Sequence, residues 1–158
     1  DSTVLEYLKV LTFLSKEEIE DIYAQHQAAP EKRIAQKTLA WQIVKDIHGQ
    51  AEADNAVKVS EKLFAGDFKG LAVSDILTGM KGVPTFKYTE ELPLVDVLVT
   101  NGMASSKREA REFIKNNAVS INGEVANDET MIVKKDMALE GKVIIFRRGK
   151  KKYYLAEL

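Results

Sequence analysis

Apolar residues recur at helical spacing through the first half of the chain. Val4, Leu5, Leu8, Leu11 and Leu14 predict one amphipathic helix over residues 3–14. Ser15-Lys16-Glu17-Glu18 then reads as a capping box, in which Ser15 accepts from a first-turn amide and Glu18 reaches back. A second helix follows to about Ala28, with Ile19, Ile22 and Tyr23 facing inward. Pro30 suits the first turn of a third helix, where its missing N–H costs nothing. In that helix Ala35, Leu39, Ile43 and Ile47 recur every four residues, and Gly49 supplies the stop. A fourth helix is expected from about Ala51 to Phe64, ended by Gly66, and Ser74-Asp75 start a short fifth near Ile76 and Leu77. Residues 1–80 therefore read as a small helical bundle.

The pattern then breaks. Residues 79–91, GMKGVPTFKYTEE, hold two glycines, one proline and few core residues, so a linker is expected over 81–91. Phe86 and Tyr88 could anchor it to either neighbour. Beyond it Pro93 opens a short helix with Leu94, Val97 and Leu98 inward, stopped at Asn101-Gly102. Ser105 or Ser106 caps the next helix, with Ala110, Phe113 and Ile114 inward. Val119-Ser120-Ile121, the turn Asn122-Gly123 and Glu124-Val125 form a hairpin signal. A second hairpin, KVIIFRRGKKKYYL at 142–155, pivots on Gly149, with Val143 and Ile145 facing one way and Ile144 and Phe146 the other. The expected fold class is α+β: a helical bundle, then a domain at 92–158 of two short helices on a small antiparallel sheet.

Composition agrees with a folded chain. Of its 158 residues 45% are hydrophobic and 30% charged. No apolar run approaches the roughly 18 residues of a membrane helix, so a cytoplasmic protein without membrane association is expected. With no cysteine and only His26 and His48, a Cys/His zinc site, a thiol nucleophile and a disulfide framework are excluded. The acidic pairs Glu17-Glu18, Glu90-Glu91 and Asp128-Glu129 sit at helix starts or loops, where capping and solvation explain them. His48 reads as a helix C-terminal residue and His26 as an exposed one. Gly66, Gly70 and Gly79 lack phosphate-loop spacing. No catalytic residue, metal site or cofactor site is expected.

Charge changes the picture more. Residues 1–100 carry 11 Lys+Arg against 16 Asp+Glu, a net −5, whereas 101–158 carry 12 against 8, a net +4. Lys107, Arg108, Arg111 and Lys115 share one helix face. Glu109 and Glu112 lace that face, so ordinary solvation explains it as well as a ligand does. A second cluster, Arg147, Arg148, Lys150, Lys151 and Lys152, crowds a hairpin turn with no acid nearby in sequence. Repulsion among those charges is offset most naturally by phosphates. Tyr153 and Tyr154 follow directly; a sheet role suits both, and one could stack on a base. Lys32, Arg33 and Lys37 form a weaker patch that solubility explains, and Trp41 reads as a core edge.

The stretch SSKREAREFIKNNAVSINGE at 105–124 resembles the signature of the RNA-binding module of the fourth small-subunit ribosomal protein. LKVLTFLSKEEIE at 8–20, APEKRIAQKTLA at 29–40, VSEKLFAGD at 59–67, PLVDVLV at 93–99 and FRRGKKKYYL at 146–155 resemble the C-terminal region of bacterial tyrosyl-tRNA synthetase. The likeness runs along essentially the whole chain. It implies a helical anticodon-binding domain followed by an RNA-binding module, and a fragment that is not itself an enzyme. The parent family is an ATP- and magnesium-dependent tyrosine–tRNA ligase whose two ATP-handling motifs do not occur in this sequence. The resemblance implies tyrosine tRNA as partner, a monomeric fragment, and a parent homodimer formed through the catalytic domain. Carried over by position, Lys107, Arg108, Arg111, Arg147, Arg148, Lys150 and Lys151 would grip the RNA backbone near the variable arm and anticodon stem. Asp1, Lys32 and Arg33 would lie on the anticodon side. A free-standing structured-RNA-binding or ribosome-associated protein is the competing expectation.

Overall fold

The computed structural model describes residues 3–158, and Asp1 lies outside the described residues. The chain forms two compact units, Asp1–Ser60 and Glu61–Leu158.

In the first unit, helix α1 spans Val4–Leu11 and α2 spans Lys16–Ala28. The expected helix over 3–14 stops early, because the Thr12 hydroxyl donates to the Leu8 carbonyl at 2.6 Å and the backbone turns extended there. Ser15 and Glu18 form the capping box as expected, which draws the Glu18 carboxyl below its ordinary pKa. Pro30 does not begin a third α-helix. Pro30–Lys32 is one 3-10 turn, and Arg33 adopts a left-handed conformation (φ 53°) before helix α3 runs Ile34–His48. Val4, Leu8, Ile19 and Ala35 are the buried core of this unit, with Leu5, Leu14, Ile22 and Leu39 packed around them. Ile47, the last apolar residue of the four-residue repeat, is 70% exposed. Helix α4 spans Gln50–Ala65, and the division between units falls within it.

The second unit begins earlier than the composition of the chain suggests. After Gly66 (φ 72°), the amide of Asp67 bonds to the Lys62 carbonyl and closes the helix end. Helix α5, Val73–Gly79, then packs its Val73 and Ile76, with Phe68 and Met80, on Val143, Ile145 and Leu155. Residues 61–80 thus belong to the sheet-bearing unit and not to the helical one, because their apolar side chains complete its core. The segment expected as a linker is also structured. Thr85–Lys87 is strand β1, and Phe86 and Tyr88 pack on the core of the same unit, with the Tyr88 hydroxyl donating to the Val133 carbonyl at 3.1 Å.

Strand β2 is Leu92–Pro93, followed by α6 (Leu94–Thr100) and α7 (Lys107–Lys115). The strands that follow are β3 (Val119–Ile121), β4 (Glu124–Val125), β5 (Ile132–Val133), β6 (Val143–Arg148) and β7 (Lys152–Glu157). The main sheet has the order β1-β7-β6-β3-β4, antiparallel except for the β1–β7 pair, while β2 and β5 form a separate ribbon. The mixed helix-and-sheet architecture agrees with the α+β class.

Strand β6 explains the architecture. Val143, Ile144, Ile145 and Phe146 are all buried because successive side chains enter different cores. Ile144 and Phe146 join Leu94, Leu98, Ala110 and Ile114 of α6 and α7, whereas Val143 and Ile145 meet the 68–80 segment. Asn122 ties the hairpin turn to this strand. Its side chain accepts from the Ile145 amide at 2.9 Å and donates to the Met137 carbonyl at 2.6 Å. Asn122→Ala is expected to destabilise the second unit by about 1–3 kcal/mol, by leaving those partly buried groups unpaired. Urea unfolding followed through hydrogen exchange of the β3 and β6 amides checks this; unchanged protection would contradict it.

Candidate nucleic-acid interface

The helix-borne part of the interface begins with its cap. The Ser106 side chain accepts from the Glu109 amide at 3.2 Å. The Glu109 carboxylate in turn accepts from the Ser105 amide at 2.5 Å and the Ser105 hydroxyl at 2.6 Å. Both serines therefore serve the helix start. The two Ser105 bonds, chiefly the hydroxyl, hold the Glu109 carboxyl below its ordinary value, with Arg148 adding a smaller pull. Ala110 and Ile114 are buried, which turns Lys107, Arg108, Arg111 and Lys115 outward. Two of those cations meet carboxylates: Lys107 reaches Asp96 at 2.6 Å and Arg111 lies 3.9 Å from Glu129. Such solvated pairs contribute little, so a phosphate can exchange for the carboxylate. Arg108 and Lys115 form no ion pair among the described residues.

The hairpin-borne part divides at its arginines. Strand alternation sends Arg147 and Arg148 to opposite faces of the sheet. Arg147 pairs in register with Ser120 and Tyr153, and its Nε donates to the Ser120 hydroxyl at 3.0 Å. Its guanidinium lies against Gly66, where a Cβ would come within 2.9 Å of Nη1. Arg148 lies on the α7 side. Its Nη1 donates to the Met103 carbonyl at 2.5 Å, and its guanidinium sits 5.1 Å from the centre of the Phe113 ring. Both arginines are half-buried and hydrogen-bonded within the fold. The three lysines after Gly149 are exposed, with no ion pair among the described residues.

The turn sets the lysine tip beside Phe113 of α7. Gly149 has φ 64° and donates its amide to the Ala118 carbonyl at 2.7 Å, while the Ala118 amide bonds to the Phe113 carbonyl at 2.8 Å. Phe113, Ala118, Arg148, Gly149, Lys150, Lys151 and Lys152 line one groove of about 360 Å³. The structure thus joins the end of α7 to the lysine tip through Phe113 and Arg148, and places Arg147 on the other face. Tyr153 and Tyr154 both take sheet roles: Tyr153 meets Phe68 edge-on at 6.3 Å, and Tyr154 packs on the α6–α7 core. Sequence reasoning assigned Phe113 to the core alone and missed Met103 and Ser120 as anchors. Ser120 could have been found from the register it shares with Arg147 once the two hairpins are paired.

The remaining candidates lie in the first unit. Lys32 and Arg33 are exposed at the 3-10 turn before α3. Trp41 is half-buried, donates to Asp54 at 2.9 Å and carries Lys45 over its ring at 4.9 Å, as a core-edge residue would.

Comparison with known proteins gives a consistent result. A family model described as the tyrosine–tRNA ligase SYY-like C-terminal domain matches residues 75–156. The tyrosine–tRNA ligase of Geobacillus stearothermophilus is 47% identical over 156 residues, covering 98% of this chain and 37% of that protein. Tyrosine–tRNA ligase 1 of Bacillus licheniformis is 46% identical over 157 residues, again 98% of this chain and 37% of the relative. The chain therefore spans little more than a third of the length of these relatives. A solution structure of a tyrosyl-tRNA synthetase C-terminal domain is 43% identical, covers 58% of this chain and 93% of that one, and superposes with a TM-score of 0.48.

Two measurements test the geometry. Arg148→Ala is expected to lower the stability of the second unit by about 1–3 kcal/mol, through loss of a charged hydrogen bond and a ring contact. An unchanged denaturation midpoint would contradict it. Because the Glu109 carboxyl titrates below its ordinary 4.5, the Ser105–Glu109 bonds persist above that value and are lost as pH falls through the lower one. The Ser105 amide resonance is therefore expected to titrate with a midpoint below 4.5, and a midpoint at or above it would overturn the assignment.

Proposed function

The chain belongs to the SYY-like C-terminal-domain family of tyrosine–tRNA ligases, and from that premise we propose that it is a tRNA-binding portion of such a ligase. The observation that carries this reading is the meeting of the α7 end and the three unpaired lysines in one groove. Cations on an exposed turn repel one another, and that repulsion is relieved when they displace the counterions of a nucleic-acid backbone. A-form RNA hides its base edges in a deep, narrow groove, so recognition of a folded RNA rests on shape and phosphate contacts. A rigid helix beside a rigid hairpin suits that task.

In this reading Lys150, Lys151 and Lys152 are the principal phosphate ligands, joined by Arg108 and Lys115 and, once their carboxylates are displaced, by Lys107 and Arg111. Arg147 and Arg148 act first as anchors within the fold. The RNA is tyrosine tRNA, gripped near its variable arm and anticodon stem, with Lys32 and Arg33 of the first unit toward the anticodon. Tyrosine activation with ATP and magnesium, and dimer formation, belong to the part of the ligase not represented in this chain. The chain alone is a monomer without aminoacylation activity, and it works in the cytoplasm.

Titration with tyrosine tRNA, intact and lacking its variable arm, tests the reading. The intact tRNA is expected to bind more tightly, with affinity falling steeply as salt rises. Lys151→Ala is expected to make the slope of log affinity against log salt shallower by about one. Equal affinity for both RNAs would leave only generic RNA binding, and affinity indifferent to salt would end the phosphate account.

A further inference from the structure

The groove at the hairpin tip holds chemistry that phosphate neutralisation leaves unused. A clamp for phosphates alone needs cations on a hydrated surface, yet the groove floor is the Phe113 ring and the Ala118 methyl. The Arg148 guanidinium lies over that ring, and its bond to the Met103 carbonyl holds it there. Gly149 contributes no side chain to fill the space, and the Ala118 and Gly149 amide bonds fix the floor to the turn. The volume of about 360 Å³ falls within the ~300–1,000 Å³ of small-ligand sites.

We propose that this groove receives one unpaired nucleotide of the bound RNA, its base against the Phe113–Arg148 pair and its phosphate on Lys150–Lys152. The proposal rests on the RNA-binding reading above and adds to it a site for a single base. A base inside an A-form helix cannot reach such a floor, whereas an unstacked one gains contact with a ring and a guanidinium plane. Charge complementarity selects a nucleotide over an uncharged apolar ligand, because three cations without acidic partners border the groove.

The test uses the full chain and three RNA hairpins: one with a fully paired stem, one with a single bulged nucleotide, and one with an abasic residue at the bulge. The bulged stem is expected to bind roughly tenfold more tightly than the paired one. The abasic stem, which keeps the extra phosphate and the bend, is expected to lose that advantage. Ala118→Leu, which fills the floor and keeps every cation, is expected to abolish the preference for the bulged stem over the paired one. Equal binding of bulged and paired stems, or of bulged and abasic stems, overturns the proposal alone. Binding of none of the three overturns the RNA-binding reading beneath it as well.

Discussion

Burial of strand β6 on both faces is the constraint from which the rest of the second unit follows. Four consecutive apolar residues, Val143 to Phe146, cannot all be dry unless each face of the sheet has its own cover. Helices α6 and α7 cover one face, and the 68–80 segment covers the other. Burying each such side chain contributes roughly 1.5–3 kcal/mol, more than any surface ion pair in this molecule can offer. The residues between Gly66 and Met80 are therefore recruited to the sheet, whatever the helical character of their sequence. The same demand explains why Phe86 and Tyr88 are drawn in, and why β1, which carries Phe86, pairs with β7.

That two-sided strand also sets the electrostatics of its end. Alternation continues past Phe146, so the adjacent arginines leave on different faces, and each finds an acceptor near the sheet: the Ser120 hydroxyl or the Met103 carbonyl. Beyond Gly149 the hairpin's cations, Lys150, Lys151 and Lys152, stand in solvent. A run that reads as one basic patch thus separates into two structural arginines and three free lysines. The division has a chemical logic. Guanidinium groups, planar and weakly hydrated, suit partly buried positions against rings and carbonyls, while ammonium groups keep their water until a phosphate replaces it.

The first unit has a thinner core. Val4, Leu8, Ile19 and Ala35 are its main buried apolar side chains, and Tyr7, Val10, Leu11 and Phe13 are largely exposed on and just beyond α1. Its local order instead draws on capping and turn chemistry, seen in the Ser15–Glu18 box and the Thr12 hydroxyl bond. These are short-range devices, which is why they could be read from neighbouring residues alone.

Helix positions, the Ser15 and Ser106 caps, the Asn122-Gly123 turn, the Gly149 pivot and the opposed faces of β6 are all written into spacing and residue type. They arise from interactions within a few residues, and a linear pattern contains those. The outward face of α7 was equally legible, since buried Ala110 and Ile114 leave its cations no other direction. The unit boundary, the parallel pairing of β1, the partners of Lys107 and Arg111, and the groove around Phe113 were not. Each depends on residues well outside one turn of chain, from Lys107 and Asp96, eleven positions apart, to Phe68 and Tyr153, which lie 85 apart. Which distant surfaces meet is set by competition for burial across the whole unit, a quantity no local window holds.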